Sequence, residues 1–364
     1  MNRIPISRPI ATKEMINAAS DALANERLVM GESVFKFEEE FARYIGTEHA
    51  VSVSSGTDAL ILASIALGVR GQVVLTTPFS FVATATSIVH AGATPRFADV
   101  SGLDHNLDPN MIRAGNDTGG VMPVDIFGHP ARMDEIAEAA GPKVKVIEDA
   151  CQAHGASYKG TKCGSFGDAG CFSFYTTKNM TVGGDGGMVT TNDERLAKDV
   201  GKLRDCGRIS RYEHDVFGFT SRLNTANAAF GRVQLRHLDE WNERRRALAR
   251  RYSERLRDVL EVKLPPEGSK DIVPVFHLYV VLCGDRDALA KHLAGNGVET
   301  AVHYPIPIHL QPAYRDAYGY SRGSYPAAEG LAATALSLPL FPQLEERQVD
   351  EVCELIIEHY GGRR

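Results

Sequence analysis

The chain has 364 residues, 43% of them apolar and 24% charged, with 34 glycines and 17 prolines; it is long enough for two domains without covalent staples, and its composition excludes disordered and fibrous classes. Forty Lys plus Arg against 46 Asp plus Glu leave a net charge of −6, which predicts no nucleic-acid partner. Six cysteines with no C-x-x-C pair predict reduced thiols and a cytoplasmic setting, the stretch Met1 to Pro9 lacks the apolar core of a secretory signal, and no run reaches the roughly 18 apolar residues of a membrane span.

A helix opens near Ser33, carries Val34, Phe37, Phe41 and Ile45 at three-to-four-residue spacing and stops at Gly46; a strand over 50–54 follows. The pattern then recurs as a helix over 57–67 closed by Gly68, a strand over 73–76, a helix over 81–89 and a strand over 96–100. Further strands at 121–126, 144–148, 170–174 and 187–191 bring the number to seven by residue 191. Such alternation predicts an α/β fold, an αβα sandwich around a mostly parallel seven-stranded sheet. From Asn227 to Asp258 the sequence reads as one long helix. Its seven arginines between Arg244 and Arg257 are interleaved with Glu243, Glu254 and Asp258, which predicts a solvated face rather than a phosphate site. Beyond Pro265 come a strand over 273–282, a helix over 287–293, a strand over 298–303 and two more helices. The expected organisation is a large domain over 13–240 and a smaller α+β C-terminal domain over 241–364, joined by residues 1–12.

Four segments carry chemistry. Lys178 lies between the apolar run Cys171-Phe172-Ser173-Phe174 and the glycine-rich turn Gly183-Gly184-Asp185-Gly186-Gly187, so its amine can project into a crevice at a strand end. Asp149 closes the strand Val146-Ile147-Glu148-Asp149, where a side chain points into the ligand crevice of an open α/β sheet, although an Asp there also serves as a helix cap. Ser54-Ser55-Gly56-Thr57-Asp58-Ala59-Leu60 runs from a strand straight into a helix, whose free amides suit a phosphate or a plain Ser/Thr cap. Thr77-Pro78-Phe79-Ser80-Phe81 puts aromatics after the next strand, for stacking on a flat heterocycle or for the core. Together these supply a phosphate cradle, a stacking ring, an acid for a ring nitrogen and an amine, the inventory of a pyridoxal-phosphate site.

With these segments, Glu148 to Ala156, Gly164-Ser165-Phe166-Gly167-Asp168, His303-Tyr304-Pro305-Ile306-Pro307-Ile308-His309-Leu310-Gln311-Pro312 and Leu336 to Pro342, in order from about Ile4 to Pro342, the chain resembles the DegT/StrS-type nucleotide-sugar aminotransferases, fold-type I pyridoxal 5'-phosphate enzymes. The resemblance implies that Lys178 anchors the cofactor covalently and moves a proton as general base, and that Asp149 pairs with the pyridinium nitrogen. It implies that Phe81 stacks on the ring, that Gln152 lies near the 3-hydroxyl, and that Gly56, Thr57 and Asp58 with Ser173 hold the phosphate. A partner subunit of a homodimer would complete each site through a Gly-x-Asn-x-Arg stretch, here Gly218-Phe219-Thr220-Ser221-Arg222. Thr220 replaces the Asn with a shorter hydroxyl, leaving Arg222 the better contact. His303, Tyr304 and His309 match the sugar-binding loop. The implied reaction moves an amino group from L-glutamate to a keto group of a nucleotide-linked sugar.

Competing classes find less support. The strand-turn-helix at Ser54 has one glycine where a dinucleotide fold needs three, and no H-E-x-x-H or Cys/His cluster predicts a metal. Family members that dehydrate sugars carry His where this chain has Lys178, so that variant is disfavoured. A catalytically inactive regulatory or binding protein of the same fold is the remaining alternative.

Overall fold

The computed structural model describes residues 3–361; the extreme ends of the expected small domain, residues 1–2 and 362–364, lie outside them. Helix α1 (Lys13–Asn25), capped by the Thr12 hydroxyl, and helix α2 (Glu32–Ile45) precede the sheet. The buried stripe of α2 is Val34, Phe37, Phe41, Ala42 and Ile45, and the helix stops at Gly46, whose φ of 91° is open to glycine at little cost.

All seven expected strands form: β1 (His49–Val53), β2 (Val73–Thr76), β3 (Thr94–Phe97), β4 (Thr118–Met122), β5 (Lys145–Asp149), then, after the hairpin β6 (Ser157–Tyr158) and β7 (Thr161–Lys162), β8 (Ala169–Ser173) and β9 (Gly187–Thr191). Their spatial order is β1-β9-β8-β5-β4-β2-β3. β9 alone runs antiparallel to its neighbours, so β1, β8, β5, β4, β2 and β3 share one direction. Their carboxyl ends therefore open on the same edge, where ligands of such sheets bind. Helices α3 (Gly56–Ala66), α4 (Ala83–His90), α5 (Met133–Ala140) and α6 (Glu194–Arg204) fill the connections.

Helix α7 (Thr225–Leu256), 32 residues and about 48 Å long, runs out of this layer. Its first half packs Ala228, Leu235 and Leu238 with the α2 aromatics. Its second half packs Leu248, Ala249, Tyr252 and Leu256 with Ile4, Tyr279, Leu293, Leu336, Val352 and Ile356 in a separate core. That core covers an antiparallel sheet of β10 (Val262–Lys263), β12 (Tyr279–Cys283) and β13 (Ala335–Leu338). Five of the seven arginines form ion pairs: Arg244 and Arg251 with Glu346, Arg246 and Arg250 with Glu243, and Arg255 with Glu354. Of the other two, Arg245 is buried and donates to the carbonyls of Phe276, His277 and Leu340.

Two expected strands are corrected. The run 273–282 is split: β11 (Ile272–Val273) pairs with β6, β12 begins only at Tyr279, and the bridge between them starts with Pro274, which has no N–H for a ladder. The run 298–303 makes isolated bridges only, Val298 to Ile4 and Ala301 to Ser337.

Phe41 is fully buried, with ring centroids of Phe172 and Phe174 at 5.0 and 5.4 Å, both edge-on. Phe41→Ala is expected to lower stability by about 3–5 kcal/mol, because the cavity left is walled by the rigid rings of Phe172 and Phe174 and cannot collapse. Denaturant unfolding followed by circular dichroism measures it.

Candidate active site

At the carboxyl edge of the sheet lies a cavity of about 490 Å³ lined by Gly56, Thr57, Phe81, Thr84, Asp149, Cys151, Gln152, Ser173, Lys178, His277, His303 and Tyr304, among others. The first nine come from four turns of the alternation: Gly56 and Thr57 begin α3 after β1, Phe81 and Thr84 follow β2, Asp149 to Gln152 close β5, and Ser173 and Lys178 follow β8.

Asp149 is almost completely buried. Its Oδ2 accepts the Thr84 hydroxyl at 2.7 Å and its Oδ1 the Cys151 N–H at 3.3 Å. Burial raises its pKa, and the Thr84 and Cys151 contacts and the nearby Lys178 charge oppose the rise. Lys178 shows the converse: desolvation lowers its pKa while Cys151 and Asp149 pull it back. An acid and an amine, each reluctant to ionise alone, face one cavity.

Ser55 caps α3, its hydroxyl accepting the Asp58 N–H at 3.0 Å. An added Cβ on Gly56 would stand 2.5 Å from the Ser173 Cβ, so only glycine lets the first turn of α3 come this close to β8. The helix start and the Ser173 hydroxyl thereby converge. Asp58 is corrected. Its amide is spent on the cap and its carboxylate accepts the Ser221 hydroxyl at 2.8 Å and that of Ser54, so it braces the turn and does not line the cavity.

Phe81 stands half exposed at the cavity wall, 6.3 Å from the Tyr304 ring. Gln152 accepts the Phe127 N–H through Oε1 at 2.9 Å and donates through Nε2 to the Tyr304 hydroxyl at 3.2 Å, which fixes its amide orientation. His303 lines the cavity with Nδ1 2.9 Å from Ser337 Oγ. His309 is the second correction: it is fully buried, its Nε2 lies 3.1 Å from Glu329 Oε1 and its ring stacks edge-on against Tyr325, so it holds the loop together outside the cavity. Thr220 and Arg222 also lie away from this chain's cavity, Arg222 bonded to Asp205 at 2.7 Å and the Thr220 hydroxyl 3.3 Å from Cys206 Sγ.

Sequence reasoning missed Thr84, Cys151 and His277. Thr84 was within reach, since it stands four residues after Ser80 and the two hydroxyls meet at 2.9 Å; His277 carries no local signal, because the broken strand alone brings it here. It also missed the buried trio Asp125, Glu148 and Cys163, whose ligand-capable atoms lie within 4.8 Å of one another. Among the described residues Asp125 Oδ2 and Glu148 Oε1 have no hydrogen-bond partner, and burial raises the pKa of both carboxyls.

The donor set fits pyridoxal phosphate: an amine, a buried acid for a ring nitrogen, helix-start amides with a hydroxyl for a phosphate, and a flat ring at the wall. The chain belongs to the DegT/DnrJ/EryC1/StrS aminotransferase family, whose model matches residues 9–357. Its fold is that of the fold-type I aminotransferases and its cofactor is pyridoxal phosphate. It is similar to the erythromycin biosynthesis sensory transduction protein EryC1 of Saccharopolyspora erythraea, 42% identical over 87% of both chains. It is similar also to the dTDP-3-amino-3,4,6-trideoxy-alpha-D-glucose transaminase of Streptomyces venezuelae, 39% identical over 98% of this chain and 96% of that one. Among solved structures, S. venezuelae DesV in complex with a ketimine intermediate superposes with a TM-score of 0.95 at 38% identity, covering 98% of each chain.

Burial raises the Asp125 pKa from 3.8 to about 7. Folding thus favours its protonated form: that stabilising share is present below about pH 4 and is lost as the pH rises through about 7. Asp125→Asn cannot ionise and is expected to gain on the parent by about 2–4 °C in Tm between acid and mildly alkaline solution. Melting curves across pH measure it.

Proposed function

We propose that this chain transfers the amino group of L-glutamate to the keto carbon of a nucleotide-linked sugar. The observation that carries the reading is the pairing of Lys178 and Asp149 across one cavity at the carboxyl edge of the sheet, beside the open start of α3. Pyridoxal phosphate, when bound, supplies an electron sink for the carbon that loses its proton. Asp149 would hold the proton at the ring nitrogen, and Thr84 and Cys151 would orient its carboxylate toward that nitrogen. Gly56, Thr57 and Ser173 would bind the phosphate and Phe81 would cover the ring. Lys178 Nζ would anchor the cofactor and then move the proton. His303 and Tyr304, on the loop facing Phe81, would receive the sugar; the names of the transaminase relatives support that substrate class.

The active form proposed is a homodimer in which Arg222 of the partner subunit, with Thr220 of the partner subunit as a shorter contact, completes the phosphate site. Residues 13–240 and 241–364 with 1–12 are proposed as the two domains, supported by the two separate cores that share α7. The six unpaired cysteines support a cytoplasmic setting. Among the described residues no helix is long and apolar enough to cross a membrane.

Lys178→Ala is expected to abolish the visible absorption of lysine-bound cofactor and to cut turnover at least about 10³-fold. Adding L-glutamate to the unmutated holoenzyme should bleach that absorption. A protein that binds the cofactor and shows no such change with any amino donor belongs instead to the regulatory reading suggested by the EryC1 relative's name. Asp149→Asn is expected to retain part of the cofactor and lose most of the rate, about 10²-fold or more, since the ring nitrogen loses its anionic partner; steady-state kinetics on the reconstituted variant measure it.

A further inference from the structure

The split between β11 and β12 delivers His277 to the cavity wall, where it is 6% exposed. Its surroundings fix which nitrogen carries the hydrogen. The His154 carbonyl can only accept, so the Asn242 atom 2.8 Å from it is Nδ2, and Asn242 Oδ1 faces Asn179. Asn179 Nδ2 donates to that oxygen at 2.8 Å and to the Val275 carbonyl at 3.1 Å. Asn179 Oδ1 is then the atom 3.3 Å from His277 Nδ1, and an oxygen acceptor there demands Nδ1–H. The Nε2 lone pair remains, as an acceptor at the cavity.

Lys178, the residue before Asn179, presents the complementary deficit. Among the described residues no hydrogen bond is made by its Nζ, and none by His277 Nε2, although both side chains line the same cavity. We infer that His277 is a positioning residue for Lys178: once the flexible lysine chain turns from the cofactor's place toward the imidazole, Nε2 accepts a hydrogen bond from the free amine. The inference rests on the aminotransferase reading for its purpose, because transamination frees this amine in every cycle and needs it aimed at one carbon.

The imidazole suits an acceptor rather than a proton store. Burial lowers its pKa well below 6.5, and the charges that face it, Lys178 and Arg245 with His303 and His154, push the same way. It stays neutral while the lysine amine keeps its proton. Asp149 and Cys151, which pull the Lys178 pKa back up, are fixed by their own contacts.

The test uses cofactor-free protein and follows trinitrobenzenesulfonate modification of the Lys178 peptide by mass spectrometry at a fixed, mildly alkaline pH. Loss of an acceptor for the ammonium lowers the lysine pKa, so His277→Phe is expected to be modified about tenfold faster than the parent. His277→Gln, whose amide oxygen reaches toward the place of Nε2, should return the rate to within about twofold, and Asn179→Leu, which frees the tautomer, should give an intermediate acceleration of about threefold. Equal rates in His277→Phe and the parent, or in the Phe and Gln variants, would overturn the inference; should His277→Phe fail to fold, an unchanged rate in Asn179→Leu does so. Failure of L-glutamate to bleach the holoenzyme would instead overturn the aminotransferase reading and leave these lysine rates standing.

Discussion

A carboxylate kept away from water must find its compensation in the protein, and at Asp149 that compensation arrives from three elements at once. Thr84 comes from α4, the Cys151 amide from the turn after β5, and the Lys178 charge from the loop after β8. None of these is near the others in sequence. The strand order β8-β5-β4-β2 is what gathers them, because parallel strands release their successive loops on a single edge. Burial pushes both Asp149 and Lys178 toward their neutral forms, and each is pulled back by the other. A cationic heterocycle entering between them would strengthen the same balance.

The wall behind the site is built to the same tolerance. Gly56 and Ser173 meet with no space for a methyl group. Asp125 and Asp149 are joined through the backbone, the Asp125 N–H donating to the Asp149 carbonyl at 3.1 Å and the Asp149 N–H to the Pro123 carbonyl at 2.9 Å. Burial raises the pKa of both Asp125 and Glu148, which disfavours two charges in a dry space beside a third acid. Asp125 also accepts the Ala131 N–H at 2.8 Å and so closes the loop from which the Phe127 N–H reaches Gln152.

Much of this was legible in the sequence. Buried parallel strands are short apolar runs between helical periods, so β1 to β5, β8 and β9 could be placed within a few residues. The candidate site residues at or just beyond the ends of those strands, Asp149, Gln152, Ser173 and Lys178, came with them. The illegible parts share a physical reason, which is that their structure is decided by distant partners. The hairpin of β6 and β7 is two residues a side and is completed by β11 more than a hundred residues later. His309 reads as a ligand in its Pro-rich run, yet Glu329 and Tyr325 claim its ring. Asp58 reads as a phosphate donor, yet Ser55 and Ser221 satisfy it first. His277 sits in what reads as unbroken strand, and only Pro274 marks the interruption.

Helix α7 places one rigid rod through two hydrophobic cores, and at its midpoint Asn242 ties it to Asn179, the neighbour of Lys178. Neither core can lose its half of the helix without exposing the apolar face that the other half continues. The two layers should therefore melt in a single cooperative step, and the loop that carries Lys178 should be among the last to exchange its amide hydrogens with solvent.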